Sequence, residues 1–420
     1  MLTIIKNTYL IGKKGFFDIL IEKGTIKKIS EKIDINCDKI IEANGNCALP
    51  GAIDVHVHMR EPGYDYKEDW TSGSLAALNG GVTTVLDMPN NKEPIITKEL
   101  LLKKIEIAKK KSKVNFGLYY GLSEKNLGKL HEVADLVYGY KLIMEQTTGD
   151  LCLRDRKLQE QAFAEIANIG KIIIVHAEDP IINEKAKERC KGRTDHLVHA
   201  DSRPNESEES AIRFCIDMAK KYGTKTHITH LSTKEGLELI KNAKKEGVDI
   251  TCDTTHSYLF LTRDDLLEKG AFAKMNPPLR SHEDVAALWK GLNDGTIDMI
   301  ATDHAPHTIA DKYVDFFNAP NGLPHLDLYY PMLLDAVNKG IITLEKLIKL
   351  TAENPAKRFG FPKKGKIEVG YDADIVIANM NKTFIVTKER LKTKCGWSVF
   401  EKRKMKGTVV KCLRATSRLA

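Results

Sequence analysis

The stretch IDVHVHMR, residues 53–60, places two histidines two positions apart inside an apolar run. His56 and His58 alternate with Val55 and Val57, so on an extended strand both imidazoles point to the same face. Proline, glycine and polar residues follow at once, which indicates that the strand ends where the histidines lie. By itself the pattern fits either a half-exposed strand with a polar face or a pair of metal ligands.

Strand-like apolar segments alternate with amphipathic helical patterns through the middle of the chain. The eight predicted strands lie at residues 51–58, 81–88, 113–120, 136–143, 171–178, 225–232, 248–255 and 298–305. Eight strand–helix repeats predict an α/β fold, the (β/α)₈ TIM barrel. An open doubly wound sheet is the competing fold, but the glycine-rich phosphate loop expected after its first strand is missing from this sequence.

The two ends of the chain differ from this middle part. Residues 1–50 and 363–420 lack helical periodicity and carry short strand patterns broken by Gly, Asn and Lys. Each end is too small to form a good core alone, so we expect both to pair into one discontinuous β-sandwich domain. Residues 51–362 then form the barrel domain, and RATSRLA at 414–420 is typical of a tail.

The composition is that of a soluble globular protein. Of 420 residues, 42% are hydrophobic and 29% are charged, and no run approaches the roughly 18 apolar residues of a membrane span. Lysines interrupt the first apolar segment, so no signal peptide is predicted. Eight scattered cysteines without a C-x-x-C pair indicate reduced thiols, so we expect a cytoplasmic protein.

The basic residues do not predict a nucleic-acid site. The net charge of +8 is modest for this length, and the lysines are dispersed. The densest basic run, KKIEIAKKKSK at 103–113, predicts a solvated helix face. The basic balance mildly favours an anionic small-molecule substrate.

Potential metal ligands recur at the ends of the predicted strands. They are His56 and His58 in the first strand, Lys141 in the fourth, His176 in the fifth, His230 in the sixth and Asp303 in the eighth. Active sites of (β/α)₈ barrels lie at the carboxyl ends of the strands, so these distant residues should converge. Core packing is a poor explanation for so many histidine and carboxylate side chains at strand ends. A metal site accounts for them better, because these side chains are typical metal ligands.

Strand parity separates two neighbouring histidines. His227 and His230 are three positions apart, so they point to opposite faces of one strand and only one can face the barrel interior. His230 lies nearer the strand end and is the predicted ligand, whereas His227 is expected to pack beneath it. Cys252 and Asp253, near the end of the seventh strand, are left undecided.

The chain resembles the amidohydrolase superfamily, and within it the dihydroorotase family along essentially its whole length. The segments that carry the resemblance are HVHMREPG (56–63), GVTTVLDMPN (81–90), VHAED (175–179), HLST (230–233), MNPPLR (275–280), ATDHAPH (301–307), ENPAKRFG (353–360) and GYDADIVI (370–377). Together these motifs are highly specific, although each one alone is weak.

The resemblance implies reversible cyclisation of N-carbamoyl-L-aspartate to L-dihydroorotate, a step of pyrimidine synthesis. Two zinc ions per subunit, sharing a hydroxide, would be held by the six strand-end residues, with Asp303 also acting as general acid and base. Lys141 would be N6-carboxylated and bridge the two zincs. Four further residues would contact the substrate: Arg60, Asn90, Asn276 and His307. Residues 307–324 would close over it as a lid.

Three matters stay open at the level of the sequence. The alternatives are a sister enzyme, such as a dihydropyrimidinase, hydantoinase or allantoinase, or an inactive scaffold with the same fold. Arg60 favours a substrate with a free carboxylate, which the sister substrates lack. Both a monomer and a homodimer are compatible with the sequence, as is docking onto aspartate transcarbamoylase, which some relatives do. No membrane or nucleic-acid partner is expected.

Overall fold

The computed structural model of the protein describes residues 1–147 and 149–415. Most of the predicted tail, 414–420, and the last residues of the predicted sandwich segment therefore lie outside the described residues. The described strands are β1 Leu2–Leu10, β2 Phe16–Glu22, β3 Thr25–Ser30, β4 Lys39–Glu42, β5 Cys47–Pro50, β6 Ala52–Val57, β7 Val82–Asp87, β8 Asn115–Gly121, β9 Gly139–Ile143, β10 Ile172–His176, β11 Lys225–Ile228, β12 Ile250–Thr255, β13 Met299–Ala301, β14 Ile375–Ile385 and β15 Lys404–Leu413.

Strands β6 to β13 form one parallel sheet in sequence order, each paired with the next. The sheet closes at its two outer strands, where Val57 bridges His304 in parallel and His58 N donates to His304 O at 2.8 Å. The strands read as apolar runs because helices cover the outside and side chains fill the inside. The predicted (β/α)₈ barrel is confirmed.

Helices connect the barrel strands, and several of them begin at a side-chain cap. The described helices are α1 Trp70–Asn79, α2 Lys98–Lys111, α3 Arg156–Ile169, α4 Pro180–Arg189, α5 Val198–Asp201, α6 Asn205–Tyr222, α7 Lys234–Lys245, α8 His256–Phe260, α9 Asp265–Lys269, α10 His282–Asp294, α11 Ile309–Lys312, α12 Tyr329–Asn338, α13 Leu344–Ile348 and α14 Asn354–Phe359. Ser281 and Asp284 form a reciprocal capping box at the start of α10, which satisfies two backbone N–H groups. Between β8 and β9 the connection is a 3₁₀ helix, Leu130–Leu136.

The remaining seven strands form a second, mixed sheet drawn from both ends of the chain. Its order is β15-β14-β5-β1-β2-β3, with β4 paired to β1. Ile5, Ile19 and Ile26 from the first segment pack in one apolar cluster with Ile375 and Ile377 from the last. Neither end could bury these side chains alone, so the predicted pairing of the termini beside the barrel is confirmed. The exact limits of the two domains stay a prediction.

One lysine of the basic run departs from the predicted solvated face. Lys104 in α2 is fully buried and pairs with the buried Asp87 carboxylate at the end of β7. Its ammonium also donates to Met88 O at 2.7 Å and to Asn91 Oδ1 at 2.8 Å. A buried ammonium needs such partners, and here they hold the segment that follows β7.

Among the described residues, no helix is long and apolar enough to cross a bilayer.

Candidate active site

The two histidines of β6 and the aspartate after β13 come together at one end of the barrel. His56 Nε2 lies 3.2 Å and His58 Nε2 lies 3.0 Å from the same Asp303 oxygen, Oδ1. The potential ligand atoms of these three residues all lie within 4.8 Å of one another. Asp303 has a φ of 47°, a left-handed backbone that turns its carboxylate back toward β6.

A second pair of imidazoles faces this group. His176 Nδ1 lies 3.0 Å from His230 Nε2, and the ring centroids of His56 and His230 are 5.2 Å apart. The Glu178 carboxylate accepts a hydrogen bond from His176 Nε2 at 2.7 Å, so His176 presents Nδ1 to the cavity. A carboxylate that binds one ring nitrogen and leaves the other free is a common arrangement of metal-binding histidines.

Lys141 reaches the same cavity from the middle of β9. It is 2% exposed, and its Nζ donates to Thr229 Oγ1 at 3.1 Å. Its neighbour Tyr140 points outward, where its hydroxyl donates to Leu130 O at 2.6 Å. Burial lowers the pKa of Lys141 to about 7, which favours the neutral amine.

Burial favours the neutral form of three histidines of the cavity, His56, His58 and His230. Burial lowers the pKa of His56 and His230 well below the usual value, and nearby positive groups lower it further. Burial also lowers the pKa of His58, although Asp303 partly opposes this shift. Neutral imidazoles with their lone pairs aimed at one point are the form that binds zinc. The donor set therefore fits divalent metal ions.

Three of the four predicted substrate contacts, Arg60, Asn90 and Asn276, line this cavity. Arg60 is 3% exposed, and its Nε donates to Pro306 O at 3.1 Å. Burial lowers the pKa of Arg60 to about 10, which leaves the guanidinium charged at neutral pH. Asn90 Oδ1 lies 2.7 Å from His58 Nδ1. The buried amide of Asn276 has no hydrogen-bond partner among the described residues, although it lines the cavity.

His307 lies behind Arg60 and does not line the cavity itself. Its Nε2 is 3.1 Å from Arg60 Nη2 and 3.0 Å from Asn321 O. The cavity has a volume of about 410 Å³ with its mouth included. The described residues that line it are His56, His58, Arg60, Asn90, Lys141, Ile143, Thr147, His176, His230, Asn276, Asp303, Ala305, Asn321 and Gly322.

The segment 307–324 reaches the cavity at its far end, and two buried lysines hold it in place. Lys312 Nζ donates to Ala271 O at 3.0 Å and Pro320 O at 2.7 Å. Lys274 Nζ donates to Phe316 O at 2.7 Å and to Ala319 O at 2.9 Å. These buried ammonium groups tie the segment to the loop after β12, and its far end supplies the two lining residues Asn321 and Gly322.

Several residues that support the site had no clear signal in the sequence. Asp253, left undecided above, accepts from His230 N at 2.7 Å and lies 2.9 Å from His227 Nε2. His227 therefore packs beneath the site, as predicted, although β11 ends at Ile228 and His230 lies beyond it with a φ of 42°. Arg203 donates to Glu178 at 2.6 Å. Burial raises the pKa of Glu178, but Arg203, His176 and Arg280 together lower it to about 2. Glu178 lies in the VHAED segment named above, whereas no local pattern indicates a role for Arg203.

Comparisons with known proteins agree with this geometry. The Amidohydrolase family model matches residues 47–410. The dihydroorotase of Methanosarcina mazei is 40% identical over 411 residues, which cover 94% of this chain and 90% of that protein. The allantoinase of Bacillus velezensis is 36% identical over 407 residues, covering 95% of this chain and 89% of that protein.

A solved structure shares the complete architecture. The L-hydantoinase (dihydropyrimidinase) of Arthrobacter aurescens superposes with a TM-score of 0.93 at 32% identity, covering 100% of this chain and 96% of that one. The match to the family model spans most of the chain, and the relatives align over nearly their full lengths. The chain thus belongs to the amidohydrolase family and is a hydrolase that acts on cyclic amides.

Proposed function

We propose that this enzyme is a dihydroorotase, which interconverts N-carbamoyl-L-aspartate and L-dihydroorotate. The observation that carries the proposal is Arg60, a buried guanidinium that lines the cavity beside the histidine and aspartate cluster. A planar fork of N–H donors suits a carboxylate, which dihydroorotate carries on its ring. The relatives named dihydroorotase at 36–40% identity support the same choice.

Relatives with neighbouring activities define the alternative. One relative is named allantoinase, and the structural neighbour is named L-hydantoinase. Allantoin, hydantoin and dihydrouracil all lack a ring carboxylate, so a buried Arg60 would face no counter-charge from these substrates. Leaving such a charge unpaired is unfavourable, which favours the acidic substrate.

We propose that His56, His58, Lys141, His176, His230 and Asp303 hold two zinc ions. Neutral imidazoles and carboxylates are typical zinc ligands. When bound, the metals would act as Lewis acids and lower the pKa of a water molecule. The proposed N6-carboxylation of Lys141 would convert an amine that burial already makes easy to deprotonate into an anionic ligand with two oxygens.

Protein side chains would carry out the proton transfers and bind the substrate. Asp303 would take a proton from the attacking water and return it to the ring nitrogen that leaves, acting as base and then as acid. Arg60, Asn90 and His307 would bind the substrate carboxylate, and the unpartnered amide of Asn276 would bind polar atoms of the ring. In the synthetic direction the same proton transfers run in reverse.

A substrate panel tests the proposal. The purified enzyme is assayed with L-dihydroorotate, dihydrouracil, hydantoin and allantoin, and for cyclisation of N-carbamoyl-L-aspartate. We expect kcat/KM for dihydroorotate to exceed that for the other cyclic amides by several orders of magnitude. Faster turnover of a substrate without a carboxylate would assign the sister activity, and no turnover by metal-replete enzyme would favour an inactive scaffold with the same fold.

We further propose that the enzyme is cytoplasmic. Sedimentation measurements distinguish a monomer from a homodimer, and the same measurements with added aspartate transcarbamoylase test for docking onto that partner.

A further inference from the structure

Lys67 contacts the back of the proposed carboxylate-binding group. It lies seven positions after Arg60, is 8% exposed and does not line the cavity. Its Nζ is 3.0 Å from His307 Nδ1, although the two residues are 240 positions apart. Lys67 therefore reaches one ring nitrogen of His307, while Arg60 and Asn321 O lie at the other, Nε2.

Burial lowers the pKa of Lys67, but several neighbouring groups oppose this shift and favour the ammonium form. Asp311 Oδ2 lies 3.4 Å from its Nζ, and the rings of Tyr64 and Tyr66 lie 5.4 and 5.5 Å away. A carboxylate and two aromatic faces both stabilise a cation. An ammonium has three N–H donors and no acceptor, so it can only donate to Nδ1.

The proton of a neutral imidazole is then restricted to one position. If Nδ1 accepts from Lys67, the ring proton must be on Nε2. There it can donate to Asn321 O at 3.0 Å. The other tautomer would set an Nδ1 proton against the Lys67 ammonium and leave Asn321 O without this donor. Burial together with Arg60, Lys312 and Lys67 lowers the pKa of His307 well below the usual value, which is consistent with a neutral ring.

We propose that Lys67 is a positioning residue that holds His307 as the tautomer with its proton on Nε2. With the proton on Nε2, His307 offers no acceptor to Arg60 Nη2, so the N–H groups of Nη2 stay available to an anion. Arg60 keeps its orientation because Nε stays bonded to Pro306 O. The benefit for turnover rests on the proposed function, because it requires a substrate carboxylate.

Nitrogen NMR of the ligand-free metal-bound enzyme reads the tautomer directly. The protein carries ¹⁵N-labelled histidine, and the signals of His307 are those lost from its 13 histidines in a His307→Gln variant. We expect Nδ1 of His307 to be unprotonated and Nε2 to carry the proton. A protonated Nδ1 in the wild-type enzyme would overturn the proposal, and this reading needs no Lys67 variant to fold.

The variants Lys67→Met and Lys67→Arg test the cause. In Lys67→Met, Nε2 can accept from Arg60, so we expect the His307 signals to shift toward the Nδ1-protonated tautomer. KM for L-dihydroorotate should rise about 10- to 100-fold with a smaller change in kcat, as for the loss of one hydrogen bond to a charged group. Lys67→Arg keeps a cationic donor and should restore both the tautomer and KM.

Lys394→Met is the matched control. Lys394 Nζ holds the same loop through Asp65 O at 2.5 Å and Asp69 Oδ2 at 2.7 Å, but it does not contact His307. The Lys394→Met variant should leave both the His307 tautomer and KM for L-dihydroorotate unchanged. An unchanged tautomer in Lys67→Met, or equal effects in both variants, would assign Lys67 a structural role. A shifted tautomer in an enzyme that does not turn over dihydroorotate would leave this inference standing and remove the proposed function.

Discussion

The carboxylate of Asp54 accepts a hydrogen bond from the Thr302 hydroxyl at 2.5 Å and joins the first barrel strand to the end of the last. Its other oxygen accepts from Thr302 N at 3.1 Å and His56 N at 3.2 Å. Asp303 follows Thr302 directly, so this one buried group sets the position of Asp303 relative to His56. The first aspartate of the D-x-H-x-H pattern thus connects the two strands beneath the cavity that the histidines line.

Asp54→Ala should destabilise the barrel at this closure. Three buried donors lose their acceptor, so we expect the free energy of unfolding to fall by about 2–4 kcal/mol. Metal content should fall as well, because His56 and Asp303 lose their common support. Urea unfolding and elemental analysis measure the two effects. Thr302→Ser keeps the hydroxyl and is the control; equal losses in both variants would contradict this role.

Arg60→Met should remove substrate recognition and spare the metal site. Losing one partner of a buried charged pair costs about 2–5 kcal/mol, so kcat/KM for dihydroorotate should fall by about 30- to 5000-fold. Steady-state kinetics and metal analysis check this. Arg263→Met, which removes a partly exposed arginine paired with Asp201, is the control. Normal turnover by Arg60→Met would assign Arg60 a structural role and shift the substrate toward the sister enzymes.

Lys141→Ala should lose metal and activity together. Without the proposed carbamate, the metal site would lose one of its anionic ligands. Short carboxylic acids such as acetate should partly restore both, because they can supply the missing carboxylate. Lys104→Met removes a buried lysine outside the cavity, and carboxylic acids should not improve its activity. An unmodified Lys141 amine beside two fully occupied metals in a crystal structure would refute the bridge.

Protein purified without chelators should contain close to two equivalents of zinc. Dialysis against a chelator should abolish activity, and added Zn²⁺ should restore it, since the buried neutral histidines and Asp303 remain available as ligands. Mass spectrometry of the metals and a parallel assay check this. Full activity in a metal-free preparation would contradict the metal site.

Residues 307–324 should become harder to cleave when substrate binds. Tyr313, Val314 and Phe317 are exposed in this segment, whereas Asn321 and Gly322 line the cavity. A ligand that contacts the lining residues should restrict the motion of the whole segment. Protease cleavage near Tyr313 should therefore be slower in the presence of L-dihydroorotate. Limited proteolysis with and without ligand measures the rate. Equal rates would contradict a closing lid.

The sequence by itself determined the barrel and the residues that converge at its end. The eight apolar segments define the strands, and the period of two decides which side chains of a strand share a face. Since parallel barrel strands end at one rim, His56, His58, His176, His230 and Asp303 could be brought together without coordinates. The same reasoning separated His227 from His230.

The tertiary structure alone decided which groups hold these side chains in place. Lys67 and His307 are 240 positions apart, and Asp54 and Thr302 are 248 apart. Arg203 reaches Glu178 from a segment with no strand periodicity, and Lys104 is buried within a run of lysines that predicts a solvated helix face. Hydrogen bonds of this kind depend on distances and angles across packed elements, and local periodicity carries no information about either.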